Sequence, residues 1–182
     1  DNPQPLFEGV DMTMPFLVQL PEETKRILER VSPLNWEGID VQVQPLTGLG
    51  AFVPQSKVWS GLKYVVGTMR GRRRSKAGLK AVGATIGETI YIDPDFADWN
   101  TASGLALLVH ERKHVEQSRT IPGFDQLYAK AQATVHPQRP WENPYEMEAY
   151  CLEAETYYRL IEEGRPPGGW LPLAVAMGFC AS

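Results

Sequence analysis

The residues with the clearest chemistry are two histidines and a glutamate in the segment TASGLALLVHERKHVEQSR, residues 101–119. Successive residues of a helix turn by about 100°, so His110 and His114 would lie about 40° apart on one face. Two imidazoles at that spacing converge on one point and can bind Zn²⁺ through neutral nitrogens. Glu111 lies beside them, where its carboxylate can take a proton from water activated at the metal. The pattern HExxH therefore predicts a metal site with a general base.

A catalytic zinc site needs a third protein ligand as well as an open position. Residues 143–163 predict a second helix, because Asn143 suits the cap position and a proline follows at the first helical residue. Glu146 then falls in the first turn, where it either caps the helix or acts as the third ligand. Glu148 is the alternative, but it points about 200° away from Glu146, so only one of them can face the metal. Glu146 is the preferred ligand.

Other polar residues are candidates for supporting roles. Hydrolysis of a peptide develops negative charge on the carbonyl oxygen, which a hydrogen-bond donor must stabilise. Tyr150, Tyr157 and His136 are the candidates for this oxyanion role. His136, the third histidine of the chain, lies in the segment VHPQRP, and it could be a metal ligand only if a flexible loop placed it. Gln117, one turn beyond the second histidine, is expected to support the site through hydrogen bonds or to be structural.

The elements that must position these groups come from hydrophobic periodicity and turn signals. Residues 21–31 have the spacing of a short helix, and residues 39–46 alternate as a half-buried strand does. Residues 62–69 and 81–92 are rich in β-formers with interspersed glycines, which predicts two more strands with a bend or bulge. The predicted fold is therefore α+β: a short twisted β-sheet packed on the HExxH helix, with the second metal-ligand helix crossing behind the metal.

Composition limits the number of domains and the class of partner. The 182 residues show no shift in composition, so we expect a single domain over 1–182, with an irregular arm over 1–20 and a tail over 165–182 packed on the core. The formal charge of −4 argues against a duplex nucleic-acid binder. The basic run at 70–80 is expected to be a solvated loop, and nucleic-acid binding through it is the alternative. No apolar run reaches the ~18 residues of a membrane span.

Two features bear on processing and compartment. The chain begins at Asp1 without an initiator methionine or an apolar leader, which favours a processed or secreted fragment. Cys151 and Cys180 could form one bridge between the second ligand helix and the tail, but the sequence does not decide whether they pair. It also does not decide the compartment or the oligomeric state.

Three segments together resemble a known family: ETIYIDPDF, LALLVHERKHVEQ and NPYEMEAY. They look like a bacterial metallopeptidase domain of unknown function that is often found near contractile injection systems and polymorphic toxins. The resemblance covers roughly residues 81–155, with a weaker match from residue 21. It implies a small zincin of the gluzincin kind, in which HExxH is completed by a glutamate on a later helix with the form ExxA.

The resemblance implies a role for each motif residue. His110 and His114 match the zinc ligands, Glu111 matches the base, and Glu146 with Ala149 matches the ExxA pair. The implied activity is that of a zinc metalloendopeptidase acting on a peptide or protein. The alternative is a non-catalytic module, stabilised by zinc and associated with toxins or assemblies.

The sequence departs from that family at Arg112 and Lys113, where an aliphatic and a small residue are usual. Arg112 would lie on the apolar back face of the HExxH helix, among leucines and a valine. A guanidinium cannot be buried there without a partner. The sequence therefore predicts that an acid pairs with Arg112, that the face is exposed, or that another protein covers it.

Zincins in general bind an extended peptide along the edge of the sheet above the metal helix. The segment 84–92 leads directly into that helix, so it is the expected platform for strand addition. A proline at Glu88 or Thr89 would then remove an outward NH group and impair cleavage.

Overall fold

The computed structural model describes residues 16–46, 82–136 and 139–178. These ranges contain the strands β1 (Phe16–Val18), β2 (Asp40–Val43), β3 (Gly83–Ile86) and β4 (Thr89–Ile92). They also contain the helices α1 (Glu22–Val31), α2 (Ala102–Thr120), α3 (Phe124–Gln132), α4 (Pro144–Glu162) and α5 (Leu173–Ala176). The protein has a small α+β fold, which confirms the fold class predicted from the sequence.

The four strands form one mixed sheet in the order β1-β2-β4-β3. The central strands β2 and β4 run parallel, with Asp40 opposite Thr89. The outer strands are antiparallel to their neighbours, β1 to β2 and β3 to β4. Strand β3 is therefore an edge of the described sheet, and β4 is internal.

The single bent strand predicted over 81–92 is wrong, because β3 and β4 are two strands of a hairpin. The two strands are joined by Gly87 and Glu88, and Gly87 has a φ of +60°. Two-residue hairpin turns require such left-handed backbone, which glycine adopts without a steric penalty. The turn places β3 directly over helix α2.

The other segments predicted from the sequence agree with the structure to different extents. The irregular arm expected over 1–20 does not hold for Phe16–Val18, which pairs with β2. The strand predicted over 62–69 and the basic loop predicted over 70–80 lie outside the described residues. The predicted helix over 21–31 and the predicted strand over 39–46 correspond to α1 and β2.

Helix α2 is the central element of the core, packing against β3 and β4 on one side and along α4 on another. Its start is fixed by Thr101, whose side chain accepts a hydrogen bond from the Gly104 amide at 3.2 Å. Gly104 has to be glycine, because a Cβ there would overlap the carbonyl oxygen of Asp98. Most side chains of α2 are buried, including both histidines.

The segment after α4 packs back on both ligand helices. The Ala102 amide donates to the Pro166 carbonyl at 2.8 Å, which ties the segment to the start of α2. Ala174 of α5 is fully buried in a small cluster with Tyr150 and Ala154 of α4. Cys151 of α4 is disulfide-bonded; Cys180 lies outside the described residues. In the described ranges, no helix combines the length and the apolarity needed to cross a membrane.

Candidate metal centre

Three predicted ligands from two helices converge in the structure. His110 Nε2 lies 3.3 Å from His114 Nε2 and 3.4 Å from Glu146 Oε2. His114 Nε2 lies 3.5 Å from Glu146 Oε1. The three side chains are all buried, with exposures of 6%, 7% and 1% respectively. Two imidazole nitrogens and one carboxylate thus surround a single point.

The start of α4 brings Glu146 to this point. The Asn143 side chain accepts a hydrogen bond from the Tyr145 amide at 3.0 Å, which caps the helix as the sequence predicted. The Asn143 amide group also donates to Gln132 at 2.9 Å, which fixes the cap against the end of α3. Ala149, one turn into α4, is fully buried and lets α4 approach α2 closely.

Each histidine is oriented by an acceptor on its other ring nitrogen. His110 Nδ1 lies 3.2 Å from Glu153 Oε2, and His114 Nδ1 lies 2.9 Å from Gln117 Oε1. Both acceptors are oxygens, so both Nδ1 atoms donate and the Nε2 lone pairs of the neutral rings point at the common centre. Metal-ligating histidines are typically held in this way.

Glu148 is not part of the cluster, so the structure separates the two carboxylates that were candidates for the third ligand. Gln117 donates to the carbonyl of Tyr145 at 3.0 Å and to Glu148 Oε2 at 3.1 Å. The Glu148 side chain is 57% exposed and lies 3.7 Å from Lys113 Nζ. Its position at the rim follows from the rotation of α4, which turns Glu146 inward.

The candidate base Glu111 is held by the edge strand. Thr85 Oγ1 lies 2.8 Å from Glu111 Oε2 and donates to it. The carboxylate packs over Gly83, where a Cβ would collide with it. Glu111 is 2% exposed, and this burial raises the pKa of its carboxyl, although both histidines oppose the shift. A raised pKa suits a carboxylate that must both accept and return a proton.

The charges of the cluster favour a cation at its centre. Burial opposes protonation of His110, but the Glu146 and Glu153 carboxylates outweigh it and raise the pKa of His110 well above its usual value. Burial likewise opposes ionisation of Glu146, but the two imidazoles hold the pKa of its carboxyl well below its usual range. A divalent metal at this point would supply the positive charge that this carboxylate attracts and would replace the imidazole protons.

The donor set also fits Zn²⁺ in type and spacing. Zinc binds histidine nitrogen and carboxylate oxygen at about 2.0–2.2 Å, so neighbouring ligand atoms of a tetrahedral site lie about 3.3–3.5 Å apart. The 3.3 Å between the two Nε2 atoms matches that spacing, and each Nε2 has one Glu146 oxygen at a similar distance, Oε2 at 3.4 Å from His110 and Oε1 at 3.5 Å from His114. Glu146 Oε2 is buried without a hydrogen-bond partner among the described residues. A metal ion would satisfy this oxygen.

The three candidates for the oxyanion role lie in different places. The Tyr150 ring contacts the His110 ring edge-on, with centroids 4.7 Å apart. The Tyr150 hydroxyl is buried and has no hydrogen-bond partner among the described residues. Tyr157 lies two turns further along α4 in the hydrophobic core, where its ring contacts Tyr158. His136 is exposed in the connection between α3 and α4 and is not part of the ligand cluster.

Tyr128 of α3 is a site residue that the sequence did not predict. Its hydroxyl donates a short hydrogen bond to Glu146 Oε1, and its ring contacts His114 with centroids 5.9 Å apart. The signal for it is the spacing of Phe124 and Tyr128, two aromatics four residues apart after Gly123. That spacing indicates a short amphipathic helix with one aromatic face.

Arg112 is accommodated in a way that the sequence alternatives did not include. It is 3% exposed on the back face of α2, among fully buried residues that include Leu108 and Val115. Its Nε donates to the carbonyl oxygen of Asn35 at 2.6 Å. The chain itself therefore covers this face, through the segment after α1. A backbone carbonyl accepts from Nε where an acid was expected, and Nη1 is buried without a hydrogen-bond partner among the described residues.

Residues 66–122 match the family described as the eCIS core domain, where eCIS denotes the extracellular contractile injection system. The described part of this match contains β3, β4 and α2, and therefore both histidines and Glu111. The match supports an association with contractile injection systems, in line with the resemblance noted above. No curated protein and no solved structure matches the chain.

Proposed function

We propose that this chain is a zinc metalloendopeptidase with His110, His114 and Glu146 as ligands and Glu111 as the general base. The observation that carries the proposal is the buried cluster in which the two Nε2 atoms lie 3.3 Å apart and each lies 3.4–3.5 Å from one oxygen of the Glu146 carboxylate. Its two imidazoles are oriented by Glu153 and by a glutamine, as in metal sites generally. The match to the eCIS core domain further suggests a contractile injection system as the setting.

In the proposed hydrolysis, the metal ligands, the base Glu111 and Thr85 have separate roles. Zn²⁺, when bound to the three ligands, would polarise the peptide carbonyl and lower the pKa of water. Glu111 accepts the proton of the attacking water and passes it to the leaving amine, which cleaves the C–N bond. Thr85 holds the Glu111 carboxylate in place through its 2.8 Å hydrogen bond. Burial, which raises the pKa of Glu111, makes the first proton transfer, from water to the carboxylate, easier.

Among the oxyanion candidates, Tyr150 fits best, because its free hydroxyl is buried next to His110. Tyr157 lies about 10 Å beyond Tyr150 along the helix axis, since each residue rises about 1.5 Å. Its oxyanion role stays a prediction. His136 also stays a prediction, because its exposed loop would have to fold over the centre.

A non-catalytic, zinc-stabilised module remains the second candidate function. The observation that favours it is the burial of the centre, where none of the three ligands is more than 7% exposed. Such a centre resembles a structural site, which has no open position for substrate. The effect of replacing Glu111, treated in the Discussion, separates the two functions.

The purified chain is expected to hold about one zinc ion, and its removal should lower the thermal midpoint. A ligand present at 1,000 times its Kd stabilises the folded state by about 4 kcal/mol. In a chain of this size that corresponds to a shift of about 10 °C. Elemental analysis and calorimetry with and without a chelator measure the two quantities. A metal-free preparation with the same midpoint would contradict the zinc site.

Replacing Glu153 by alanine is expected to weaken zinc binding by about 10–100-fold, which is typical for the outer partner of a metal-bound histidine. The physical reason is that His110 loses the acceptor that fixes its ring and tautomer. Competition with a chelating dye measures the affinity. The control is Glu155→Ala, an exposed position on the same helix, which should bind zinc as the native chain does. Equal affinities would show that Glu153 has no part in the site.

The sheet geometry corrects the expected substrate platform. Thr89 belongs to the internal strand β4, and the carbonyl of Glu88 accepts a hydrogen bond from Asp40. Proline at Thr89 would therefore disturb the sheet itself, and proline at Glu88 would restrict Gly87 and alter the turn that joins β3 to β4. The edge strand is β3, and the Asp93 amide donates to Val82 next to it. Hydrogen-bonded and non-hydrogen-bonded pairs alternate along an antiparallel ladder. Counting from the bonded pair of Val82 and Asp93, the pair of Thr85 and Ile90 is not hydrogen-bonded. The backbone groups of Thr85 therefore face outward and are suited to pair with a peptide.

Thr85 offers a matched pair of variants for testing this platform. Thr85→Val removes the hydroxyl that holds Glu111, whereas Thr85→Pro also removes the outward NH group. If peptides add to β3, Thr85→Pro should raise KM by about tenfold over Thr85→Val, since a hydrogen bond lost without replacement costs about 1–3 kcal/mol. Steady-state kinetics on one peptide measure the difference. Equal KM values for the two folded variants would show that the peptide binds elsewhere.

A further inference from the structure

The metal centre is closed in this structure. The ligands and the base are nearly inaccessible, with exposures of 6% for His110, 7% for His114 and 2% for Glu111. A peptide carbonyl has to come within bonding distance of the metal and within hydrogen-bonding distance of the base. Some element of the chain must therefore move before a substrate can enter.

Among the described helices that contact the ligands or carry them, α3 has the fewest buried residues. Only Phe124 and Tyr128 of its nine residues are buried. By contrast, α2 carries two ligands on a helix that is buried over most of its length, and α4 carries the third ligand on a long buried face. Local opening starts where few apolar contacts hold a segment, so α3 can leave without unfolding the core.

The contacts of α3 close the centre at two points. The Tyr128 hydroxyl donates to Glu146, and the ring lies against His114. Phe124 packs against Tyr145 edge-on, with centroids 5.3 Å apart, and contacts no ligand ring. Tyr128 thus joins the helix to the metal ligand itself, and Phe124 holds it to the first turn of α4.

The start of α3 is also suited to a hinge. Gly123, directly before the helix, has a φ of +70°, a conformation open to glycine at little cost. A Cβ at Gly123 would meet no atom within 4 Å, so the backbone there is not packed in place. At the other end, the hydrogen bond between Gln132 and Asn143 ties α3 to the cap of α4 in the closed form, and it has to break when α3 opens.

From these contacts we infer that α3 is a lid over the metal centre and that the Tyr128–Glu146 hydrogen bond is its latch. The inference rests on the proposed metal centre but not on peptidase activity. In the closed form, Tyr128 holds Glu146 and blocks access to His114. In the open form, α3 swings about Gly123, and both metal and peptide can reach the centre.

The exchange of metal in both directions tests the lid against a fixed supporting role. If α3 opens, Phe124→Ala should speed both the loss of zinc to a chelating dye and the uptake of Co²⁺ by at least about tenfold, because a buried aromatic side chain that holds α3 closed is lost. Tyr128→Phe should also speed both rates. Leu127→Ala is the control, since this side chain on α3 is 42% exposed, and both of its rates should equal those of the native chain.

A fixed support predicts a different pattern. In that case the variants would lose zinc faster and take up Co²⁺ at the native rate, and this result would overturn the lid. Stopped-flow absorbance of the dye and of Co²⁺ gives the two rates in the full chain. The native chain gives the reference for both rates, zinc-loaded for the loss of zinc and metal-free for the uptake of Co²⁺.

Hydrogen exchange of the metal-free chain provides a test that needs no metal at all. The amides of α3 should exchange much faster than those of α2 and α4, and Phe124→Ala should speed exchange in α3 alone. If α3 exchanges as slowly as α2, it opens only when the whole domain unfolds, and the lid is excluded. Failure of the chain to bind any metal would instead contradict the proposed function, and the exchange pattern would still decide whether α3 moves.

Discussion

The Glu111→Gln variant should lose peptide cleavage by about 10²–10⁴-fold and keep its zinc. General acid–base catalysis contributes rate factors of this size, and glutamine cannot accept the proton from water. The change keeps the shape of the side chain and an oxygen that can accept the Thr85 hydrogen bond. Digestion of a peptide library followed by mass spectrometry measures cleavage, and elemental analysis measures zinc.

The matched control for Glu111→Gln is Glu116→Gln on the same helix. The carboxylate of Glu116 is paired with Lys113 at 2.7 Å, away from the ligands. We expect cleavage by this variant to equal that of the native chain. Undiminished turnover in Glu111→Gln would exclude Glu111 as the base. Absence of cleavage even by the native, zinc-loaded chain would favour the non-catalytic module.

Loss of the third ligand is expected to have the largest effect on zinc binding. Glu146→Ala removes one of three ligands, so the affinity should fall by more than the roughly 100-fold that loss of an outer partner can cost. Glu148→Ala should change the affinity by less than about twofold, because an exposed carboxylate at the rim contributes little. Chelator competition measures both affinities, and circular dichroism verifies that both variants are folded.

The result that would contradict this assignment is a large loss of zinc affinity in Glu148→Ala with native affinity in Glu146→Ala. The rotation of α4 would then differ from the one described, since the two side chains lie on opposite faces. The short hydrogen bond from Tyr128 to Glu146 would also need another explanation.

The parts of the site that sequence predicts are those governed by local rules. The spacing of His110 and His114 places two imidazoles together on any α-helix, and Asn143 followed by proline fixes the start of α4. That start in turn places Glu146 in the first turn of α4. These inferences depend only on helix geometry, so the sequence was sufficient for them, whereas the choice of Glu146 over Glu148 as the residue that faces α2 depends on how the two helices pack.

The parts that sequence misses depend on contacts between distant segments. Thr85 reaches Glu111 only because β3 and β4 form a hairpin that lies over α2, and a reading of 81–92 as one strand hides this turn. Tyr128 reaches Glu146 because the chain between α3 and α4 folds back on the ligands. A helical wheel shows the face of each side chain, but it does not show which segment covers that face.

Arg112 illustrates the same limit. A helical wheel correctly places Arg112 on the apolar face of α2. The cost of burying an unpaired charge correctly predicts that its guanidinium has a partner. The partner is the carbonyl of Asn35, far away in sequence. A backbone acceptor leaves no mark in the side-chain pattern, so only the fold reveals it.

The parallel pairing of β2 with β4 has a consequence for the order in which the chain folds. The hairpin of β3 and β4 joins strands that are neighbours in sequence, and α2 follows within ten residues of Ile92. The pairing of Asp40 with Thr89, in contrast, joins segments that are far apart in sequence. The chain loses conformational entropy when these segments come together, before the contacts between them can form. Long-range parallel pairing of this kind is slow. We therefore expect β3, β4 and α2 to assemble first, so that the segment carrying both histidines is structured before β1 and β2 dock on it.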